Sequence, residues 1–126
     1  MNVPDDLRYT SDHEWARLDD GRMTIGITDY AQEALGDIVF VQLPEQGTEV
    51  KPGESFSEVE STKSVSDVYA PLAGTVISVN TELADAPQHL NEDPYGEGWL
   101  CVIELEDPAA YATLLDADGY RDLIAD

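Results

Sequence analysis

The sequence predicts a mainly β domain with short helices, built as a small sandwich or flattened barrel that ends in a helical tail. Three observations carry this expectation. Apolar residues, 42% of the 126-residue chain, fall in short alternating runs separated by Gly, Pro and Asp turns. The chain is long enough for a single modest core and too short for two ordinary domains. Gly36–Val41 is echoed by Gly74–Val79, each a glycine followed by an apolar-rich strand, which suggests approximate two-fold symmetry. The expected organisation is one domain over residues 1–126, with a core over about 7–106 and the tail over about 107–125.

Taken in order, Leu7 through Leu18 turns at Asp19-Asp20-Gly21 into Met23–Ile27 and reads as an opening hairpin. Asp29–Leu35 has a capping residue at one end and Gly36 at the other, the pattern of one short helix. Ile38–Leu43 is an apolar strand that stops at the turn residues Pro44-Glu45-Gln46-Gly47. Val50 precedes a second turn, Lys51-Pro52-Gly53-Glu54. Phe56–Val59 and Val65–Tyr69 read as paired strands around a polar tip, Glu60-Ser61-Thr62-Lys63-Ser64. Pro71-Leu72-Ala73-Gly74 turns into the strand Thr75–Val79, and Trp99–Leu105 follows a Pro/Gly-rich loop. In the tail, Asp107 can cap a helix with Pro108 at its first position; Tyr111, Leu114 and Leu115 keep helical spacing, repeated by Tyr120, Leu123 and Ile124.

Charge is the most unusual bulk property. Twenty-seven acidic against six basic residues leave a formal −21, a self-repulsion that opposes a compact state in dilute buffer. At molar salt the screening length falls to about 3 Å, so the composition suits a salt-filled cytoplasm and a halophilic source. It argues against nucleic acid or an anionic membrane as ligand. The acidic start Met1–Asp6 lacks the basic and apolar regions of a signal peptide, and no apolar run reaches spanning length, so a cytoplasmic location is expected. A single cysteine, Cys101, excludes an internal disulfide and a thiolate metal cluster.

The chain has two lysines. Lys51 lies at a Pro-Gly turn, where a solvated lysine needs no special account. Lys63 lies at a hairpin tip, where its amine is open to acylation and two strands give a rigid base for a swinging arm. The residues alone leave a second account open, that Lys63 offsets Glu58, Glu60 and Asp67.

The run Val59-Glu60-Ser61-Thr62-Lys63-Ser64-Val65-Ser66-Asp67 resembles the lipoylation site of the glycine cleavage H-protein family. The likeness extends to Ser11-Asp12-His13-Glu14-Trp15, to Ile25–Gln32 with Leu35–Val41, to Tyr69-Ala70-Pro71 with Gly74, and to Asn91–Leu100. In order these cover about residues 7–124. Thr62 stands where the family often has valine or methionine, and Asp12 where serine, lysine or glutamate is usual.

The resemblance implies a barrel-sandwich hybrid like that of lipoyl and biotinyl domains, and lipoate joined covalently to Lys63 by a lipoate ligase or lipoyl transferase. It implies a non-catalytic carrier serving three enzymes. Glycine decarboxylase (the P protein) loads an aminomethyl group, an aminomethyltransferase (the T protein) removes it, and dihydrolipoyl dehydrogenase (the L protein) reoxidises the arm. It also points to Glu14 and Asp67 as contacts for the loaded arm, with Asp12 adding a further carboxylate. A relay protein that hands lipoate to other lipoyl domains is the alternative role. Biotin attachment fits poorly, because Thr62-Lys63-Ser64 lacks flanking methionines. A Schiff-base enzyme would need a desolvated lysine, which a tip among carboxylates does not provide. His13 and Glu14, with the only other histidine, His89, expected in a loop, form no compact metal-ligand set. For Cys101, alternating with Leu100 and Val102, burial is the expected role.

Overall fold

The structure, a computed structural model, describes residues 1–125 and confirms the mainly β class. Nine strands are found: β1 (Arg8–Tyr9), β2 (Glu14–Asp19), β3 (Arg22–Ile27), β4 (Ile38–Gln42), β5 (Glu49–Val50), β6 (Ser55–Ser61), β7 (Val65–Tyr69), β8 (Gly74–Val79) and β9 (Cys101–Leu105). The α-helices are α1 (Asp29–Leu35), α2 (His89–Glu92) and α3 (Ala117–Ile124), and 3-10 turns span Thr81–Ala84 and Pro108–Thr113. The strands form a six-stranded sheet, ordered β1-β2-β3-β9-β8-β5, and a three-stranded sheet, β4-β6-β7.

Local chemistry sets these elements. The β2–β3 hairpin turns on Asp20 and Gly21, with φ of 52° and 77°, the double positive φ of a type I′ turn that matches strand twist. Thr28 caps α1, its hydroxyl accepting from the Ala31 N–H, and Gly36 ends the helix at φ 82°. Buried residues of the larger sheet, among them Met23, Ile25, Val76 and Ile103, make one core cluster, joined by Cys101 as a fully buried small side chain. A second cluster, with Ile27, Val41, Val59, Leu83 and Leu90, fills the space beneath the β6–β7 hairpin.

The structure departs from expectation at four places. The strand expected from Trp99 begins at Cys101, because Trp99 N–H closes a turn onto Gly96. His89 opens α2 and is not in a loop. The short strand β5 and the Thr81–Ala84 turn were not anticipated, since neither carries a periodic pattern of its own. The tail is two helical pieces. Leu115 exchanges two backbone hydrogen bonds with Tyr9 at 2.8 and 2.9 Å, so the chain extends there, and Asp116 starts α3 anew by accepting from the Gly119 N–H. The echoed segments are strands in different sheets, but their glycines differ in role. Gly36 caps a helix, whereas Gly74 opens β8 so close to β9 that a Cβ would lie 2.3 Å from the Glu104 carbonyl.

Candidate functional site

The β6–β7 hairpin is closed by a tight turn built around one side chain. Ser61, 6% exposed, accepts at its hydroxyl from the N–H groups of Lys63 and Ser64, both at 3.1 Å. Its own N–H donates to the Ser64 carbonyl at 2.8 Å. Thr62 N–H donates to the Asp37 carbonyl at 3.0 Å, which seats the tip on the connector between α1 and β4. Lys63 is exposed, and among the described residues it has no carboxylate within ion-pair distance. The alternative account, in which this lysine merely offsets Glu58, Glu60 and Asp67, therefore finds no contact to support it. Its stem runs over Gly36, where an added Cβ would stand 3.1 Å from Lys63 Cε and 3.7 Å from Nζ. Lys51 is also exposed, in the turn before β6.

Two clefts flank the hairpin. One, of about 330 Å³, lies between α1 and the start of β7; Tyr30, Ala31, Ala34 and Leu35 line one wall, Ser64–Ser66 the other, and Asp12 and His13 its end. Leu35 immediately precedes Gly36, so the Lys63 amine starts beside this cleft. The second, of about 350 Å³, is lined by Thr10, Ser11, Asp12 and Glu14 on one side and by Ala70, Pro71 and Leu114 among others on the rest. Asp12 belongs to both.

Glu14 is 2% exposed at the start of β2. It accepts from the Thr10 hydroxyl at 2.7 Å and from the Tyr69 N–H, at the end of β7, at 3.1 Å. One carboxylate thus ties the opening segment to the strand leaving the lysine tip. Burial pushes its pKa up to about 7, against an opposing pull from those two hydrogen bonds. His13 is held at φ 70°. Its Nδ1 is hydrogen-bonded to the Tyr120 hydroxyl at 2.9 Å, its ring rests against Tyr30, and burial lowers its pKa. Asp67 is exposed, accepts from the Ser55 hydroxyl at 3.2 Å, and lines neither cleft. The structure therefore brings Asp12 and Glu14 together beside the second cleft and leaves Asp67 apart from them. Among the described residues, no group of three or more His, Cys, Asp and Glu side chains is arranged to hold a metal ion.

Several residues that shape this site carried no sequence signal of their own. Ser61, Thr10 and Tyr120 act through a hydroxyl placed by tertiary folding, and Tyr69 through its backbone. Ser61, Tyr69 and Asn91 were visible only as parts of family motifs, and Tyr120 only through its helical spacing.

The profile described as Glycine cleavage H-protein matches residues 7–126. The glycine cleavage system H protein of Mycolicibacterium vanbaalenii is 59% identical to this chain, over 98% of each. The probable glycine cleavage system H protein of Haloarcula marismortui, a halophile, is 54% identical over 98% of each. The crystal structure of a glycine cleavage system H protein from Mycobacterium marinum matches with a TM-score of 0.85 at 46% identity, covering 95% of this chain and 97% of that one.

Proposed function

Because the chain belongs to the glycine cleavage H-protein family, we propose that it is a lipoyl carrier whose arm is attached at Lys63. The observation that carries this reading is a lysine at the tip of a braced hairpin, free of ion pairs among the described residues, with its stem over a glycine and a cleft beside it. Lipoate joined to Nζ by an amide supplies a dithiolane that accepts an aminomethyl group and later passes on two electrons. The partners are glycine decarboxylase, an aminomethyltransferase and dihydrolipoyl dehydrogenase, with a lipoate ligase or lipoyl transferase to attach the arm. The chain itself carries and shelters but does not catalyse.

The residues present fit such an arm. Ala31, Ala34, Leu35 and Val65 offer apolar contact along the first cleft, and Asp12 stands at its end. The cargo carries a primary amine that is cationic in water, and burying an unpaired cation costs several kcal/mol. Asp12, which lines both clefts, and Glu14, which lines only the second, are the carboxylates we assign to meet it. Glu14 is suited to an intermittent guest: with a pKa pushed up to about 7 it is partly neutral when no cation is near, and an arriving ammonium favours its ionised form. Asp67, outside both clefts, acts on the cargo only through its longer-range field, which molar salt screens over about 3 Å.

Glycine-dependent exchange of labelled bicarbonate with purified glycine decarboxylase tests this role. The lipoylated protein should support exchange, whereas Lys63→Arg, folded but without an acceptor amine, should support none. Equal exchange by Lys63→Arg would refute the carrier assignment.

A further inference from the structure

The segment Asn91–Trp99 lies far in sequence from the lysine, yet one of its side chains reaches the lysine's seat. Asn91 Oδ1 accepts from the Ile38 N–H at 2.9 Å, and its Nδ2 donates to the Gly36 carbonyl at 2.8 Å and to Gln32 Oε1 at 3.0 Å. A single carboxamide therefore clamps both ends of the Gly36-Asp37-Ile38 connector. That connector carries the tip: Asp37 accepts from the Thr62 N–H, and Gly36 lies beneath the Lys63 stem.

We propose that Asn91 is a positioning residue for acylation of Lys63, fixing the tip by holding the connector on which it rests. This rests on Lys63 being the lipoyl site. The connector needs such a clamp because Gly36 has φ 82° and ψ −154°, a region open essentially to glycine alone. Glycine also has the most backbone freedom to lose on folding. Nothing in Gly36 itself selects this conformation: its N–H is held by the Gln32 carbonyl at 3.0 Å on the helix side, and beyond it the bonds of Asn91 to the Gly36 carbonyl and the Ile38 N–H hold the connector. Asn91 is anchored in turn by α2, whose Leu90 is fully buried in the core cluster beneath the hairpin.

The consequence is kinetic. A ligase must bring activated lipoate within bonding distance of Nζ, so it engages only the chains whose tip is correctly seated. Loosening the connector lowers that fraction, and the apparent affinity falls in proportion. Once bound, the tip is seated by the ligase and the chemistry is unchanged. KM for the carrier should rise while kcat stays near that of the parent.

The test uses the full-length unmodified protein, a lipoate ligase, lipoate and ATP, in salt that keeps every variant folded by circular dichroism. Asn91→Ala should raise KM about tenfold with kcat within about twofold. Asn91→Asp keeps an acceptor for Ile38 but sets a carboxylate against the Gly36 carbonyl, and should raise KM similarly. Ser57→Ala is the control: it removes a hydrogen bond to the Gln42 carbonyl, away from the tip, and should leave KM unchanged. Residue-resolved amide exchange supplies a readout independent of the ligase. The Thr62 amide should exchange faster in Asn91→Ala than in the parent or in Ser57→Ala. Parental KM together with parental Thr62 exchange in Asn91→Ala would overturn the proposal. A parent that takes no lipoate on Lys63 would sink the carrier reading instead, and the Thr62 exchange would still decide whether Asn91 holds the tip.

Discussion

At the scale of single residues, Glu14 shows most clearly what folding adds to sequence. On a surface with 27 acids, nothing in the local pattern distinguishes one carboxylate from another, and only the family resemblance singled this one out. The fold buries it and gives it two donors, Thr10 and Tyr69. Its proton affinity then makes a stability prediction. The folded chain holds the Glu14 proton up to about pH 7, while the ordinary glutamate value is 4.5. Between those limits the folded state binds more protons than the unfolded one, so stability contributed through this group is full below pH 4.5 and declines as pH rises toward 7. The total change is at most about 3 kcal/mol at 1.36 kcal/mol per unit. Glu14→Gln should lack this decline, and urea titrations of both proteins from pH 4.5 to 7.5 will show the parent losing stability relative to the variant as pH rises. Parallel pH profiles for the two would contradict the assignment. Lys63 drew notice differently, as one of two lysines on a strongly acidic chain where a turn accounts for the other. The residues alone left an offsetting role open, and the family resemblance singled Lys63 out.

At the scale of elements, most strands could be located because alternation and turn chemistry agree. The Asp-Asp-Gly turn, the capped helix α1 and the β6–β7 hairpin lie within a residue or two of where they were expected. What could not be located depended on contacts distant in sequence. The tail breaks at Leu115 because pairing with Tyr9 competes with continued helix, and no helical periodicity encodes that. One consequence concerns α3, whose Tyr120 stacks on Tyr9 at 4.7 Å and is hydrogen-bonded to His13 and to Thr28. Tyr120→Phe keeps the stacking and removes a hydrogen bond from buried Thr28 and from half-buried His13, at a cost of about 1–3 kcal/mol. It should also loosen His13, which closes one end of the first cleft. Chemical denaturation gives the energy, and the amide shifts of residues 11–14 report the loosening. A second prediction concerns β3, where Gly26 lies under the indole of Trp15. A Cβ at that position would stand 2.6 Å from Nε1, and the indole is fixed by its donation to the Pro94 carbonyl at 2.9 Å. Gly26→Ala should lower stability by about 1–3 kcal/mol through overpacking, and an unchanged denaturation midpoint would show that the ring has room to move.

At the scale of the whole molecule, the sandwich supplies a rigid base and the charge sets the conditions under which that base is stable. A formal −21 with four arginines and two lysines leaves few attractive pairs to offset repulsion. Among the described residues, Arg121 is the one arginine or lysine paired with carboxylates, those of Asp5 and Asp118, while His89 stands near Glu92 and Glu97. Screening must therefore do most of the relief. The melting temperature should climb as potassium chloride rises from tens of millimolar to molar; a flat or falling series would show that the fold tolerates its charge without salt. Among the described residues no helix is long and apolar enough to cross a membrane. The fold class was legible at this scale because a short chain with many turns has few alternatives. The clefts were not, since each is assembled from segments separated by tens of residues.

The central claim is that Lys63 is where lipoate is attached, and peptide mapping of protein isolated from its native host addresses it most directly. Intact mass gives the number of lipoyl groups per chain, and tandem mass spectrometry of the proteolytic peptides spanning Lys51 and Lys63 locates them. The account predicts one lipoyl group per modified chain, on Lys63, with Lys51 unmodified. Lipoate on Lys51, biotin on Lys63, or a chain that bears no modification in cells actively cleaving glycine would contradict it.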